Sequence, residues 1–229
     1  MRVIDTLQEN PQGRYWDDRF SKEGKIWGEA PCGAALQAER IFKNHHVSKI
    51  LVPGCGYGRN SLFFARNGFQ VVGFDISSVA IEMAKEEARR EKVPIFYSVR
   101  NILDFPLKGK AFEGIFSFNT LHLFLERDRE KISTWLARSL VPEGILVLTS
   151  MSTKDGDFGK GEKIAPNTFE SKKGRPVFYF SEGSIKGLFR RQFQIQELME
   201  IEEEENHGGK AHSHWMWFLA GRKKIGVDP

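Results

Sequence analysis

The chain has 229 residues, 40% hydrophobic, 28% charged and 12% aromatic, which is length for one generous core and not for two, so a single domain over 1–229 is expected. The formal net charge of +4 is mild, and acidic and basic residues alternate along most of the chain. With no concentrated basic stripe, a nucleic-acid partner is not expected.

The opening MRVIDTLQEN carries no apolar leader core, and no later run approaches the ~18 apolar residues of a membrane helix, so no membrane association is expected. Residues 1–46 read as a cap segment, an aromatic and charged piece, YWDDRFSKEGKIWGEAPCG, followed by an amphipathic helix over Ala34–Phe42. A core over 47–151 begins with a short buried strand, Lys49–Pro53, that runs straight into the glycines of ILVPGCGYGRNS. The pattern then predicts a helix over Gly58–Asn67 stopped by Gly68, and a second strand, Gln70–Asp75. Ser77 or Ser78 caps a helix whose Ala80, Ala84 and Ala88 share one face. Ile95–Arg100 and Gly114–Phe118 are the third and fourth strands, Glu126–Leu140 a helix, and ILVLTSM the fifth strand after the turn Pro142-Glu143-Gly144. Such alternation implies a parallel sheet with helices on both faces.

Residues 152–180 form a long connection rich in glycine, lysine and serine, read as a mobile lid that brings basic groups to a substrate. The rest, 181–229, holds a helix and two extended runs, Phe193–Glu204 and His212–Arg222, joined by Asn206-His207-Gly208-Gly209. Too few residues separate them for a crossover helix, so they are expected to pair as an antiparallel hairpin. Cys32 and Cys55 form neither a disulfide framework nor a metal-binding pair, and a reducing cytoplasm is the expected compartment.

A strand, a glycine loop and a helix N-terminus make a nucleotide-binding crevice at the carboxyl edge of a parallel sheet. Asp75, ending the second strand 21 residues beyond Gly54, stands where a carboxylate accepts ribose hydroxyls. The glycines fall at 54, 56 and 58, and the sixth position of a GxGxxG pattern is Arg59, which argues against a pyrophosphate.

ILVPGCGYGRNSLFFARNGFQVVGFD, with NILDFPL, FEGIFSFNTLHLF and LVPEGILVLTSM, resembles the class I S-adenosylmethionine (SAM)-dependent methyltransferases over nearly the whole chain. Within them, WDDRFSKEGKIWGEAP and GRNS look most like the tellurite-resistance (TehB-like) and thiopurine-methyltransferase-like group. The resemblance implies a Rossmann-like three-layer α/β sandwich, mostly parallel with a C-terminal antiparallel strand. It also implies SAM as cofactor and S-adenosylhomocysteine as product. Gly54, Cys55 and Gly56 would line the methionyl end, Asp75 would take the ribose hydroxyls, Ile76, Asn101 and Ile102 would meet the adenine, and Pro53 and Asn60 are expected among the cofactor-binding residues. Phe118 would offer backbone to the amino-acid end, with Trp27 closing over the cofactor and Tyr57 giving the sulfonium an aromatic face. Where many members carry a strand-end acid this chain has Val52-Pro53, as in enzymes of soft nucleophiles.

The implied reaction is in-line methyl transfer to a small molecule, with a thiol, thiopurine, tellurite or selenite as the expected acceptor class. Soft anions need no general base; for a neutral acceptor His122, just past the fourth strand, is the nearest candidate, although a capping or packing role suits it better. Two other readings stand beside this one: a nicotinamide-dependent oxidoreductase on a related sheet, and a SAM-binding domain without catalysis. His212 and His214 share a strand face near His207, but no third ligand is evident, so no metal is expected. Glu202–Glu205 reads as a solvated run protecting a sheet edge. A monomer or homodimer is expected.

Overall fold

The computed structural model describes residues 11–104, 112–207 and 210–226. The opening decapeptide, the whole FPLKGK stretch with Ala111, the Gly208-Gly209 turn of the expected hairpin and residues 227–229 lie outside the described residues.

Short aliphatic runs pair in parallel because each is followed by an amphipathic crossover. β1 (Lys49–Pro53) lies between β2 (Gln70–Asp75) and β4 (Phe112–Ser117), with β3 (Ile95–Val99) beyond β2 and β5 (Leu140–Met151) beyond β4. The last two strands, β9 (Phe193–His207) and β10 (Lys210–Lys223), form the antiparallel hairpin, and β10 inserts between β5 and β9. The seven-stranded order is therefore β3-β2-β1-β4-β5-β10-β9.

Successive residues of β1 supply opposite faces of the core, as strand geometry requires. Ile50 and Val52 pack with Phe42 of α2 (Gly33–Asn44) and Phe64 of α3 (Arg59–Arg66). Leu51 points the other way, into a cluster with Trp135 and Leu136 of α5 (Glu126–Ser139) and Ile185 and Phe189 of α6 (Glu182–Phe189). The result is helix, sheet, helix. α4 (Ser78–Arg90) packs its alanine face on Tyr97 of β3, and the Ser77 hydroxyl caps it by accepting from Ala80 N at 3.0 Å.

Three elements differ from the sequence reading. The aromatic piece of the cap segment is a helix, α1 (Pro11–Glu23). Its Asp17 accepts hydrogen bonds from Ser77 Oγ, Ser78 Oγ and Val79 N, so α1 supplies a carboxylate to the positive N-terminus of α4. Residues 152–180, read as a mobile loop, contain a second sheet of β6 (Glu162–Ala165), β7 (Thr168–Lys172) and β8 (Arg175–Phe178). Its glycines and lysines occupy turns and strand surfaces, while Phe169, Val177 and Tyr179 join a buried cluster with Met151 and Met216. Finally, Glu202–Glu205 is not a uniformly solvated run, because Glu203 and Glu205 are buried. Glu203 accepts from Gly33 N at 2.7 Å and Ala34 N at 3.2 Å, capping α2 from the edge strand. No helix among the described residues is long and apolar enough to cross a membrane.

Candidate cofactor and acceptor site

β1 ends at a buried Pro53, and the chain turns at once through Gly54, Gly56 and Gly58, all with left-handed φ (+64°, +54° and +85°). Only glycine takes that conformation without strain. The three glycines differ in what surrounds them. A Cβ on Gly54 would lie 2.4 Å from Thr120 Oγ1, and one on Gly58 would lie 2.6 Å from the Tyr97 hydroxyl. At Gly56 the nearest atom is Phe20 Cζ at 3.6 Å, so only this glycine leaves room beside its backbone.

Asp75 ends the neighbouring strand and anchors the loop. Its Oδ2 accepts from Gly56 N at 2.8 Å and its Oδ1 from Ser77 N at 2.9 Å. Burial pushes the carboxyl upward in pKa, opposed by the amides of Ser77, Gly56 and Ile76. Each carboxylate oxygen has further acceptor capacity, and Asp75 borders a cavity of about 440 Å³ at the carboxyl edge of the sheet.

Gly54, Cys55, Gly56, Tyr57 and Asn60 form the loop side of that cavity, and Ile76, Asn101 and Ile102 continue the wall from Asp75. Trp27, Phe118 and His122 border it as well. Pro53 does not; it is the one sequence candidate that the fold leaves behind the wall, where its carbonyl oxygen lies 3.5 Å from Thr120 Oγ1. Asn60 is buried, and its Oδ1 accepts from Cys32 N at 3.1 Å, so its carbonyl fixes the start of α2. Asn101 Oδ1 accepts from Leu103 N at 3.0 Å, which makes its carbonyl a turn acceptor and leaves its NH2 for another partner. Burial raises the Cys55 thiol well above its usual pKa, so it is a neutral wall group.

The cap is latched to the loop by polar contacts. Tyr57 accepts from Trp27 N at 2.9 Å and donates to Gly28 O at 2.8 Å, with the Trp27 and Tyr57 rings stacked at 6.1 Å and 14°. Arg59 donates to Trp27 O at 2.6 Å, and the Arg19 guanidinium lies 5.6 Å from the Trp16 and Trp27 ring centres. Trp16, Trp27 and Tyr57 give this side of the cavity an aromatic lining.

The remaining wall is charged. Arg19 of α1, Lys172 of β7 and Arg175 of β8 all border the cavity. Burial lowers the Lys172 pKa, and the positive charges of Arg175 and Arg19 lower it further, so the three cations share one field. Of the basic residues in 152–180, Lys154, Lys160, Lys163 and Lys173 are not at the wall. Sequence reading had no means of selecting Arg19, which becomes visible only when α1 packs against α4.

His122 sits in a short 3-10 turn after β4, buried, its Nδ1 without a hydrogen-bond partner. Burial, with Arg175 and His214 nearby, pushes its pKa down to about 3, which makes it a poor proton acceptor. A better oriented imidazole is His214, whose Nδ1 lies 3.0 Å from Oδ2 of the buried Asp155. That hydrogen bond raises the His214 pKa against the cost of burial. Burial pushes Asp155 up, but hydrogen bonds from His214, Asp157 N and Trp215 N outweigh it and hold the carboxyl below its usual range. The sequence reading also lacked a third group near His212 and His214; register supplies it, because Glu205 of β9 pairs with His212 of β10. The side chain of His207 lies outside the described ones.

Residues 50–144 match a family model described as a methyltransferase domain. Among curated relatives, thiocyanate methyltransferase 1 of Brassica oleracea is 29% identical over 167 residues, covering 72% of each chain. The S-adenosyl-L-methionine-dependent Diels-Alderase iccD of Talaromyces variabilis is 30% identical over 112 residues, 47% of this chain. The chain spans only 37% of that relative's length. TehB of Haemophilus influenzae superposes with a TM-score of 0.64 at 23% identity, over 91% of this chain and 67% of that one. The Diels-Alderase is named as SAM-dependent, and the crevice here sets a buried carboxylate beside a glycine with room for a Cβ at ordinary contact distance, next to the aromatic residues of the cap. The chain thus shares the fold of TehB, and its residues 50–144 match the methyltransferase domain family.

Proposed function

We propose that the chain methylates a small, soft, anionic acceptor such as a thiolate or a chalcogen oxyanion. In this reading Gly54, Cys55 and Gly56 line the methionyl end of the cofactor and Asp75 takes the ribose hydroxyls. Ile76 and Ile102 flank the adenine, and the Asn101 NH2 group serves its ring edge. Phe118 contributes backbone at the amino-acid end, while Trp27 and Tyr57 roof the sulfonium. When bound, SAM supplies a methyl group on a positively charged sulfur, a leaving group already activated. The chain's own work is to align the acceptor and exclude water, which accounts for ~7–11 kcal/mol of barrier in well-oriented reactions.

The observation that carries this reading is the convergence of Arg19, Lys172 and Arg175 on the cavity that holds the glycine loop. Three cations attract an anion, and an anionic nucleophile needs no general base, which agrees with a His122 that is neutral and weakly basic. The Brassica relative is named for thiocyanate, itself a soft anion. Segment 152–180 is then the acceptor-side lid, with β7 and β8 carrying its cations.

The test is turnover of labelled SAM against thiocyanate, aryl thiols, thiopurines, tellurite, selenite and neutral amines. Methylation of anions is expected, with Arg175→Ala and Lys172→Ala raising KM about tenfold or more. Methylation confined to neutral acceptors would overturn the reading. The Diels-Alderase relative motivates a second reading, SAM binding without methyl transfer. Saturable SAM binding with no S-adenosylhomocysteine formed from any acceptor would favour it.

A further inference from the structure

We propose that Glu205, His212 and His214 form a divalent-cation site in the wall of the cavity. The three side chains belong to the two strands of the terminal hairpin. His212 and His214 are two residues apart on β10 and so share a face, with ring centres 4.9 Å apart, and Glu205 stands opposite His212 on β9. One ligand atom from each lies within 4.8 Å of the others, and all three residues border the cavity that contains the glycine loop.

Two features separate this cluster from a chance surface group. Glu205 is buried, 7% exposed, and its carboxylate lies beside the imidazoles of an exposed His212 and a half-buried His214. His214 is already oriented as a metal-binding histidine is: its Nδ1 is held 3.0 Å from the buried Asp155 Oδ2, which in turn accepts from Trp215 N at 2.9 Å. With Nδ1 donating to that carboxylate, Nε2 carries the lone pair, the carboxylate–histidine–metal arrangement in which the outer acid fixes tautomer and ring angle. Asp155 is therefore a positioning residue for the site.

Two imidazoles and one carboxylate suit a borderline divalent ion such as Zn2+ or Co2+, with at least one coordination position open to the cavity. The role of the ion rests on the methyl-transfer reading. It would hold the acceptor's thiol or hydroxyl as its anion, the proton leaving to solvent. The new bond then forms from that atom to the methyl carbon as the carbon–sulfur bond breaks, its electron pair staying on sulfur.

The experiment uses the untagged full chain, stripped with EDTA and desalted, titrated with ZnCl2 by calorimetry and with CoCl2 by visible absorption. One ion per chain is expected, with cobalt d–d bands of a low-coordinate nitrogen and oxygen site. His212→Gln, at an exposed position that does not threaten folding, should weaken binding at least tenfold. Glu205→Gln should do the same, and Asp155→Asn should weaken it about 10–100-fold. His45→Gln, on the C-terminal end of α2, should change nothing. The absence of saturable binding near one equivalent, or binding that survives His212→Gln and Glu205→Gln alike, overturns the proposal. SAM affinity measured on the same samples reports on the cofactor site separately. Loss of SAM binding with metal binding retained would count against the methyl-transfer reading and leave the metal site standing.

Discussion

Replacing Gly54 by alanine, alone and together with Thr120→Ala, measures how closely the carboxyl ends of β1 and β4 press together. A left-handed φ of +64° costs alanine ~1–2 kcal/mol by itself. The new Cβ would also stand 2.4 Å from Thr120 Oγ1 and 2.9 Å from its Cγ2, and Thr120 is a short branched side chain with little freedom to retreat. Overpacking of this kind costs ~1–3 kcal/mol, so Gly54→Ala should destabilise by about 2–5 kcal/mol. Gly56→Ala, with φ +54° and its nearest atom 3.6 Å away, should show only the conformational part, about 1–2 kcal/mol. Thr120→Ala removes both colliding atoms and leaves the Thr120 Cβ at 3.2 Å, while losing the hydrogen bond to Phe118 O at 3.1 Å. In that background the cost of Gly54→Ala should fall by about 1–3 kcal/mol toward the Gly56 value. Urea unfolding of wild type, both single variants and the double variant gives the cycle, provided the m-values agree. Equal costs for Gly54→Ala and Gly56→Ala, or no relief from Thr120→Ala, would refute the packing argument.

Asp75→Ala removes the acceptor for Gly56 N and Ser77 N, so it should both loosen the loop and lower SAM affinity at least tenfold by calorimetry. Unchanged affinity would sink the ribose assignment. Cys32 is pushed up to about 12 by burial and Cys55 well above its usual value, so neither should react with Ellman's reagent at pH 8 until the chain unfolds. Prompt reaction of the native protein would contradict the raised pKa of both thiols. His122 falls from 6.5 to about 3 in the fold, facing Arg175, His214 and Asp155. The unfolded chain therefore binds more protons between those values, and stability is full above pH 6.5 and declines as pH falls toward 3. His122→Gln should remove ~2 kcal/mol of that decline between pH 7 and pH 5, read as a flatter urea midpoint against pH; an unchanged profile would show that His122 does not titrate there.

The alternation of aliphatic strands with amphipathic helices, the glycine loop after β1 and the acid at the end of β2 are local features, legible because each depends on residues close in sequence. They were enough for the parallel sheet, the terminal hairpin and many of the residues that border the cavity. Asp75 was legible as the acid at the edge of the crevice, whereas its bond to the Gly56 amide depends on β1 and β2 lying side by side. Segment 152–180 was read as a loop because its strands are short and polar, and packing of Phe169, Val177 and Tyr179 against Met151 and Met216 of the main sheet accompanies their regular pairing. Pro53, next to the loop in sequence, is buried at the end of β1 and does not border the cavity.

What the sequence determined, then, is the order of elements and the position of the glycine crevice, since periodicity and glycine spacing are written in consecutive residues. What only tertiary structure decided is the company those elements keep. Arg19 joins Lys172 and Arg175 across some 150 residues of chain because α1 docks on the N-terminus of α4 through Asp17. Glu203 becomes the cap of α2, and Glu205 the neighbour of two histidines, because β10 inserts between β5 and β9 and fixes the register of the edge strand. A charge in a linear run has no address until strand pairing says which face it occupies, and that pairing is a long-range event.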